Sequence, residues 1–351
     1  MLSVRGAWGI NAKAPTALYL YPEKAYFNYN NYYYRDDNQT TLVSTNRVFD
    51  TANPDLEIAK LRKAEVGFDL RLNNRYHLSV TAFDELMNNG YTLGKDISCY
   101  QLIEYTKYEA VPDGNGGHAP QYEGTYNVFS SYAKPLNNIY SHNRGIEFEL
   151  DLGRFDAIRT SFFLNGAYTQ SVYRNQGNVF GTNSNLNNIE KNIAIYEKGL
   201  YTRCKDKFIT TLRITHNIPD LGFVITLATQ VNWMEKFWTE YGNDTMFIQY
   251  ISYKDGKVYS FDPSKKDDPE FAYMFDSVSE NRFIVEQYFP TVTFNLNISK
   301  EIGDRLTASF FANNMFNNRP LYESKANPGS FTELLEDNRL FFGFDLKINI
   351  K

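Results

Sequence analysis

The chain has 351 residues, a net charge of −5 and 42% hydrophobic residues, enough for one large domain or two ordinary ones and too apolar for disorder. The acidic balance gives no reason to expect nucleic acid as a partner, two cysteines fall short of a Cys-based zinc site, and no apolar run is long enough for a transmembrane helix. A mean hydropathy of −0.48 leaves a membrane open, because a transmembrane barrel needs only every second residue to be apolar.

The opening stretch MLSVRGAWGINAKAP has no charged start followed by a continuous apolar segment, so it does not read as a signal peptide. Leu2, Val4 and Gly6 instead read as a strand under way, so the chain is either cytoplasmic or the inner part of something longer. Ala64, Val66, Phe68, Leu70 and Leu72 then alternate with Glu65, Gly67, Asp69 and Arg71. Tyr76, Leu78, Val80 and Ala82 continue beyond the turn NNR at 73 to 75. Ile146, Phe148, Leu150 and Leu152 alternate with Glu147, Glu149 and Asp151, and Phe162 and Leu164 lead a run toward Tyr173.

Further along, Phe208, Leu212 and Ile214 share a face with one exception, Thr210. Phe223, Ile225, Leu227, Val231 and Trp233 follow. TVTFNLNISKEIGDRLTASFFANN (291 to 314) is two alternating runs around a Gly-Asp turn. Leu340, Phe342, Phe344, Leu346, Ile348 and Ile350 close the chain. Period-two alternation means strands with one apolar and one wet face, and about ten strands are predicted, many with the nine to eleven residues a tilted membrane strand requires. The 27 Tyr and 27 Phe add weight to an all-β fold.

Connection lengths alternate. Within hairpins they are tiny: NNR, GRFDA near 155, NIPD at 217 to 220 and EIG at 301 to 303. Between hairpins, roughly 15 to 60, 85 to 143, 174 to 204, 236 to 287 and 315 to 337 read as long, polar connections rich in Tyr and Asn. Short turns at one rim and long loops at the other are the plan of an outer-membrane barrel. Parity agrees: odd-length turns keep the apolar set on the same numbering parity, and the four-residue NIPD moves it from even to odd. Three-residue turns favour a left-handed residue, for which Gly303 is suited and Asn74 tolerant. The apolar faces hold no Lys or Arg, whereas the wet faces hold Asp69, Arg71, Glu147, Glu149, Asp151, Asp345 and Lys347, the distribution expected of a lipid side and a watery side.

Several of these stretches resemble a known family in order and spacing: LSVRGAWGINAKAP, NPDLEIAKLRKAEVGFDLRLNNRYHLSVTAFD, RGIEFELDLGRF, ASFFANNMFNNRPLY with its element Asn314-Met315-Phe316-Asn317, and the closing FFGFDLKINI. Together they resemble the C-terminal barrel of TonB-dependent outer-membrane receptors, most closely the SusC/RagA-like group. The resemblance runs from end to end. It implies an antiparallel transmembrane β-barrel portion of about ten strands, with short periplasmic turns and long extracellular loops, lying in the bacterial outer membrane. It implies that residues 1–351 are the C-terminal portion of a receptor whose plug domain, TonB-engaging segment and earlier strands are absent. It also implies import of oligosaccharides or peptides, with a SusD-like surface lipoprotein as lid and the TonB complex as power source. Members often end in an aromatic residue, whereas this chain ends Ile350-Lys351.

No catalytic, cofactor or metal-binding motif stands out. DGNGG (113 to 117) is a plain loop, and the carboxylates of DTANPD and DPSKKDDPE fit no spaced calcium loop. Cys99 and Cys204 are free thiols or one disulfide. The loop YFNYNNYYYRDDNQ (26 to 39) suits ligand contact, since flat rings pack on a pyranose while amides and acids bond its hydroxyls. Its candidates are Tyr32, Tyr33, Tyr34, Arg35 and Asp36, joined by Trp238 and Tyr241 from a second loop; Trp233 suits the interfacial girdle. A self-packed loop or a partner interface is the alternative. Two rival functions remain. One is a self-contained small outer-membrane barrel, possibly a protease using His118, His142 and Asp113; the other is a soluble β-rich adhesin or glycan-binding module.

Overall fold

The computed structural model describes residues 1–37, 39–73, 75–181, 191–275, 278–303, 305–335 and 337–348. In chain order, β1 (Leu2–Lys13) and the short α1 (Ala17–Leu20) lead to a hairpin of β2 (Ala25–Arg35) and β3 (Thr40–Phe49). β4 (Ala59–Leu72) and β5 (Tyr76–Gly94) precede a second hairpin, β6 (Tyr100–Pro112) and β7 (His118–Ser131). Next come β8 (Lys134–Phe155), β9 (Thr160–Asn175), β10 (Asn178–Gly181) and β11 (Ile193–Lys198). β12 (Tyr201–Ile218) and β13 (Phe223–Tyr241) are followed by β14 (Gln249–Ile251), β15 (Val258–Ser260) and β16 (Glu286–Tyr288). β17 (Thr291–Ile302), β18 (Leu306–Asn313), β19 (Leu321–Glu323), β20 (Phe331–Glu333) and β21 (Phe341–Ile348) complete the chain.

The fold is all-β. Ten strands pair in the order β1-β4-β5-β8-β9-β12-β13-β17-β18-β21, every neighbour antiparallel: the up-and-down wall of a β-barrel. Among the described residues β1 pairs only β4 and β21 only β18, so both edges of the wall are open. Among the described residues no helix is long and apolar enough to cross a membrane, which says nothing of crossing by strands.

The alternation places the apolar residues as the sequence dictates. Leu70, Leu78, Leu150, Leu164 and Leu212 form one row across five strands, and Val66, Ala82, Ile146, Tyr168 and Phe208 form another. These side chains are not covered by a second layer: Val66 is 62% exposed, Ile146 50% and Phe344 83%. Thr210, the exception on this face, accepts a hydrogen bond from Trp233 Nε1 at 2.8 Å. That bond satisfies two polar groups at an apolar surface.

Tight turns lie at one rim, at 73–75, 156–159, 219–222 and 303–305. NNR sits where it was read, with Asn73 taking the left-handed conformation at φ 54. Asn74 and the terminal Ile350 and Lys351 lie outside the described residues. The last turn is displaced: Ile302 pairs Leu306, so it spans 303–305 and not EIG, and Gly303 at φ 57 is its first residue. It still has three residues, so parity holds. The four-residue turn 219–222 flips parity as expected. The four-residue turn 156–159 does not, because a bulge between Asp151 and Arg154, with Gly153 at φ 65, restores it.

Contrary to the expectation of long plain loops, the other rim is built of β-structure. β8 has 22 residues, about 70 Å of extended chain, and β5 pairs with it along most of that length. Residues 85–94 and 134–143 therefore belong to wall strands. The connections beyond hold the hairpins β2–β3 and β6–β7, the pair β19–β20, and the sheet β10-β11-β14-β15. That small sheet buries Phe247, Phe261 and Phe271, with the first two ring centroids 4.1 Å apart. The Tyr and Phe of the loop side thus make local cores, which long loops need if they are to hold a shape.

Candidate functional site

The Tyr-rich stretch is a strand, so its neighbours alternate between two faces. One face packs on the second hairpin. Tyr29 packs tilted against Tyr105, with ring centroids 4.7 Å apart, and edge-on against Tyr126 at 5.9 Å, and Asn31 Nδ2 donates to the Thr106 carbonyl at 2.7 Å. Gln39 Nε2 donates to the His118 carbonyl at 2.9 Å, and Tyr34 lies 4.6 Å from the His118 ring. A bulge between Asn30 and Tyr32 shifts the register. The opposite face looks to solvent and carries Tyr26, Asn28, Asn30, Tyr33 and Arg35 on β2 against Val48, Asn46, Ser44, Leu42 and Thr40 on β3.

The five candidates of this stretch therefore part. Tyr33, 61% exposed, and Arg35 stand on the open face. Tyr34 and Asp36 join each other on the packed side, where the phenol donates to Asp36 Oδ2 at 2.8 Å and is raised above its ordinary pKa by that bond. Tyr32 is buried. Trp238 and Tyr241 are not brought to this hairpin; their partners come from residues 201–283. Trp238 Nε1 donates to Glu240 Oε1 at 3.4 Å, with the Lys236 ammonium 4.8 Å from its ring. Tyr241 packs between Tyr201 and Phe283, and Arg282 lies 4.2 Å over its ring while gripping Asp244 at 2.6 and 2.7 Å.

On the polar face of the wall a cavity of about 420 Å³ opens between β13, β17 and the β19–β20 segment, lined by Asn232, Glu235, Tyr288, Thr291, Glu333 and Asp337. Glu235 is held by Lys205 at 2.6 Å and Lys207 at 3.5 Å and accepts from Asn232 Nδ2 at 3.0 Å. Hydroxyls, amides and charged oxygens at one wall suit a polar, hydrogen-bonding guest.

The cover of this cavity is latched by Glu286. Its carboxylate accepts from Tyr322 Oη at 2.5 Å, Ser324 Oγ at 2.6 Å, and the amides of Lys325 and Ala326 at 3.2 and 3.0 Å. Burial pushes this carboxyl up, yet the four donors prevail and hold it at about 2. A second knot lies at Asn314, fully buried at φ 42, whose side chain bonds the carbonyls of Asn318 and Asn338 and the Asn318 amide. The element Asn314-Met315-Phe316-Asn317 thus fastens the end of β18 to the loop that follows. Sequence reading singled out that element but missed Glu235 and Glu286, which stand in no motif.

Other candidates are dispersed. His142 on β8 bonds Asp84 Oδ2 at 2.7 Å, while His118 sits at the tip of the second hairpin against Tyr34, so the two histidines have separate partners. Cys99 and Cys204 are both free and buried, and burial pushes the Cys99 thiol up. Asp50, Asp262 and Asp268 each accept from a backbone amide two residues ahead, as turn carboxylates do. Among the described residues no group of His, Cys, Asp or Glu is arranged to hold a metal ion.

No family model matches this sequence, and no curated protein matches it. Among solved structures the chain is similar to the siderophore receptor PirA from Acinetobacter baumannii, with a TM-score of 0.49 and 12% sequence identity. The likeness covers 99% of this chain and 39% of that one, so the chain spans about two-fifths of the receptor's length.

Proposed function

We propose that this chain forms part of the wall and outer loops of a TonB-dependent outer-membrane receptor of the SusC/RagA-like kind. The observation that carries the reading is the uncovered apolar face shared by all ten wall strands, bounded at one rim by tight turns. A face of exposed Val, Leu, Ile and Phe on this scale is unstable in water and at home in hydrocarbon. The open edges of β1 and β21 add to it. Unpaired backbone groups are not tolerated in lipid, so further strands complete the barrel.

In this reading the apolar face meets lipid and the polar face lines the lumen. The protein acts in transport, not hydrolysis, and the separate partners of His118 and His142 support that. Its cargo is an oligosaccharide or peptide, met first by the exposed Tyr33 and Arg35, with Trp238 and Tyr241 apart from them at the end of β13 and the polar cavity beside Glu235 as a further contact. A SusD-like lipoprotein covers the loop side, and the TonB complex drives import through parts of the receptor outside these elements. Deleting the gene is expected to slow growth on one class of oligosaccharide or peptide as sole carbon source and leave growth on simple sugars unchanged. Undiminished growth on every such source would contradict the import reading.

A further inference from the structure

A second cavity lies on the polar face, at the loop-side ends of β1, β4 and β5. Asn11, Leu61 and Met87 stand in one register row there, and Lys13 with Ala59 forms the next row outward. The cavity, of about 420 Å³, opens over these rows, and Thr16, Tyr19 and Tyr91 complete its lining. Its volume falls within the roughly 300–1,000 Å³ of ligand sites. Two features of the chain shape it. The pairing of β5 with β8 is irregular on both sides of Gly90, and a Cβ there would lie 2.7 Å from Met87 Cε, so the missing side chain gives the thioether its place. The Tyr91 hydroxyl donates to the Lys13 carbonyl at 2.8 Å and accepts from the Ala59 amide at 2.9 Å, which fastens the loop-side end of the β1–β4 ladder. Tyr19 packs on the Tyr91 ring with centroids 5.2 Å apart.

Floor and mouth differ in chemistry. Leu61, Met87 and Ala59 present alkyl groups and a thioether, which offer a guest no strong hydrogen bond. One row further from the loops, Lys63 is neutralised by Glu65 at 2.8 Å and Glu85 at 2.9 Å. At the mouth Asn11, Lys13 and Thr16 are exposed, and among the described residues their side chains have no hydrogen-bond or ion-pair partner. Lys13 is thus an unneutralised cation beside an apolar hollow. A pyranose carries hydroxyls around its whole rim, and sinking it among Leu61 and Met87 would strip their water without return. An alkyl or aryl side chain gains by the same burial.

From this geometry we infer that the cavity is a subsite for the C-terminal residue of a guest peptide, its apolar side chain on Leu61 and Met87 and its carboxylate at Lys13. Charge complementarity selects this occupant: the mouth offers an ammonium group and the floor offers only apolar surface. A fatty acid shares the alkyl and carboxylate chemistry. The free amide of Asn11 and hydroxyl of Thr16 match the peptide group that precedes a C-terminal residue, which a fatty acid lacks. The inference rests on the import reading and narrows its cargo to a peptide ending in an apolar residue.

The test uses the full chain in neutral detergent, titrated with N-acetyl-Gly-Gly-Leu and followed by saturation-transfer NMR of the peptide. The free acid is expected to bind more tightly than its C-terminal amide and than N-acetyl-Gly-Gly-Ser. Lys13→Gln is expected to weaken the free acid about threefold, as loss of an exposed ion pair does, and to leave the amide unaltered. Leu61→Gln is expected to remove the preference for Leu over Ser. Lys60→Gln, the same charge change on the opposite face of β4, is expected to alter neither. Equal binding of acid and amide, or an equal loss with Lys60→Gln, overturns the subsite. So does octanoate or maltotriose displacing the peptide with higher affinity, or no binding of the peptide at all. Each of these results leaves the import reading standing, which fails instead by undiminished growth of the deletion strain.

Discussion

Leu212→Arg is expected to cost about 2–4 kcal/mol of stability in a bilayer, and Thr211→Arg, one residue away, under about 1 kcal/mol. Leu212 stands on the apolar face between Leu164 and Thr229, whereas Thr211 stands on the polar face between Asn165 and Gln230. In hydrocarbon the guanidinium at 212 has no water to solvate it, and its neighbours offer no acid. At 211 it meets amides and the watery side. Urea titration of the chain folded in phosphatidylcholine vesicles, followed by tryptophan fluorescence, gives both numbers. In a soluble protein the order would weaken or vanish, because a half-exposed leucine in water tolerates replacement within about 0.5 kcal/mol. The contrast between two adjacent positions makes the result independent of overall stability.

Glu286→Ala is expected to release the β19–β20 segment from the polar face at a cost of about 3 kcal/mol. Four donors converge on this carboxylate, two hydroxyls and two amides, and without it they are left in a poorly hydrated place. The carboxyl, held at about 2 against an ordinary 4.5, also makes this contribution depend on pH, since each unit is worth about 1.4 kcal/mol between the ionised and the protonated form. The sign is that of a depressed acid. The contribution is complete above pH 4.5 and is lost as the pH falls from there toward 2, where the folded state must also take up the proton. Glu286→Gln does little better, because it brings two more donors to four. Amide hydrogen exchange at Lys325 and Ala326, expressed as protection relative to the unfolded chain at the same pH, reads the latch directly: high in the parent at neutral pH, low in the variant, and falling in the parent as the pH approaches 2.

Legibility followed the range of the interactions. Val292, Phe294, Leu296 and Ile298 announce β17 by themselves, because which face a residue takes depends only on its neighbours in the strand. Turn parity extended that reading across the tight hairpins, and there it failed where a residue is added silently: at Trp233, where the register slips by one, and at Leu152–Gly153. Alternation in Tyr26 to Arg35 is legible too, and it rules out a shared face for Tyr32, Tyr33 and Tyr34. What it does not give is the bulge at Asn30–Tyr32, or the second hairpin that takes up Tyr34 and Asp36. The strands hidden in the long connections were missed because Tyr and Asn serve in loops and in small two-sided sheets alike. Glu286 was illegible because its donors come from 36 to 40 residues away, and no local pattern marks that meeting.

The account stands on the solvent of the apolar face, and one measurement addresses it. Nitroxide labels placed singly from Phe223 to Val231 along β13, in the chain folded in phosphatidylcholine vesicles, report access to oxygen, which dissolves in lipid, and to a polar nickel chelate, which stays in water. Oxygen access is expected to peak at Phe223, Ile225, Leu227, Thr229 and Val231, and chelate access at Val224, Thr226, Ala228 and Gln230, with period two. Odd-numbered positions closed to both probes would mean protein covers that face, and odd-numbered positions open to the chelate would mean water does; either result would contradict the membrane wall.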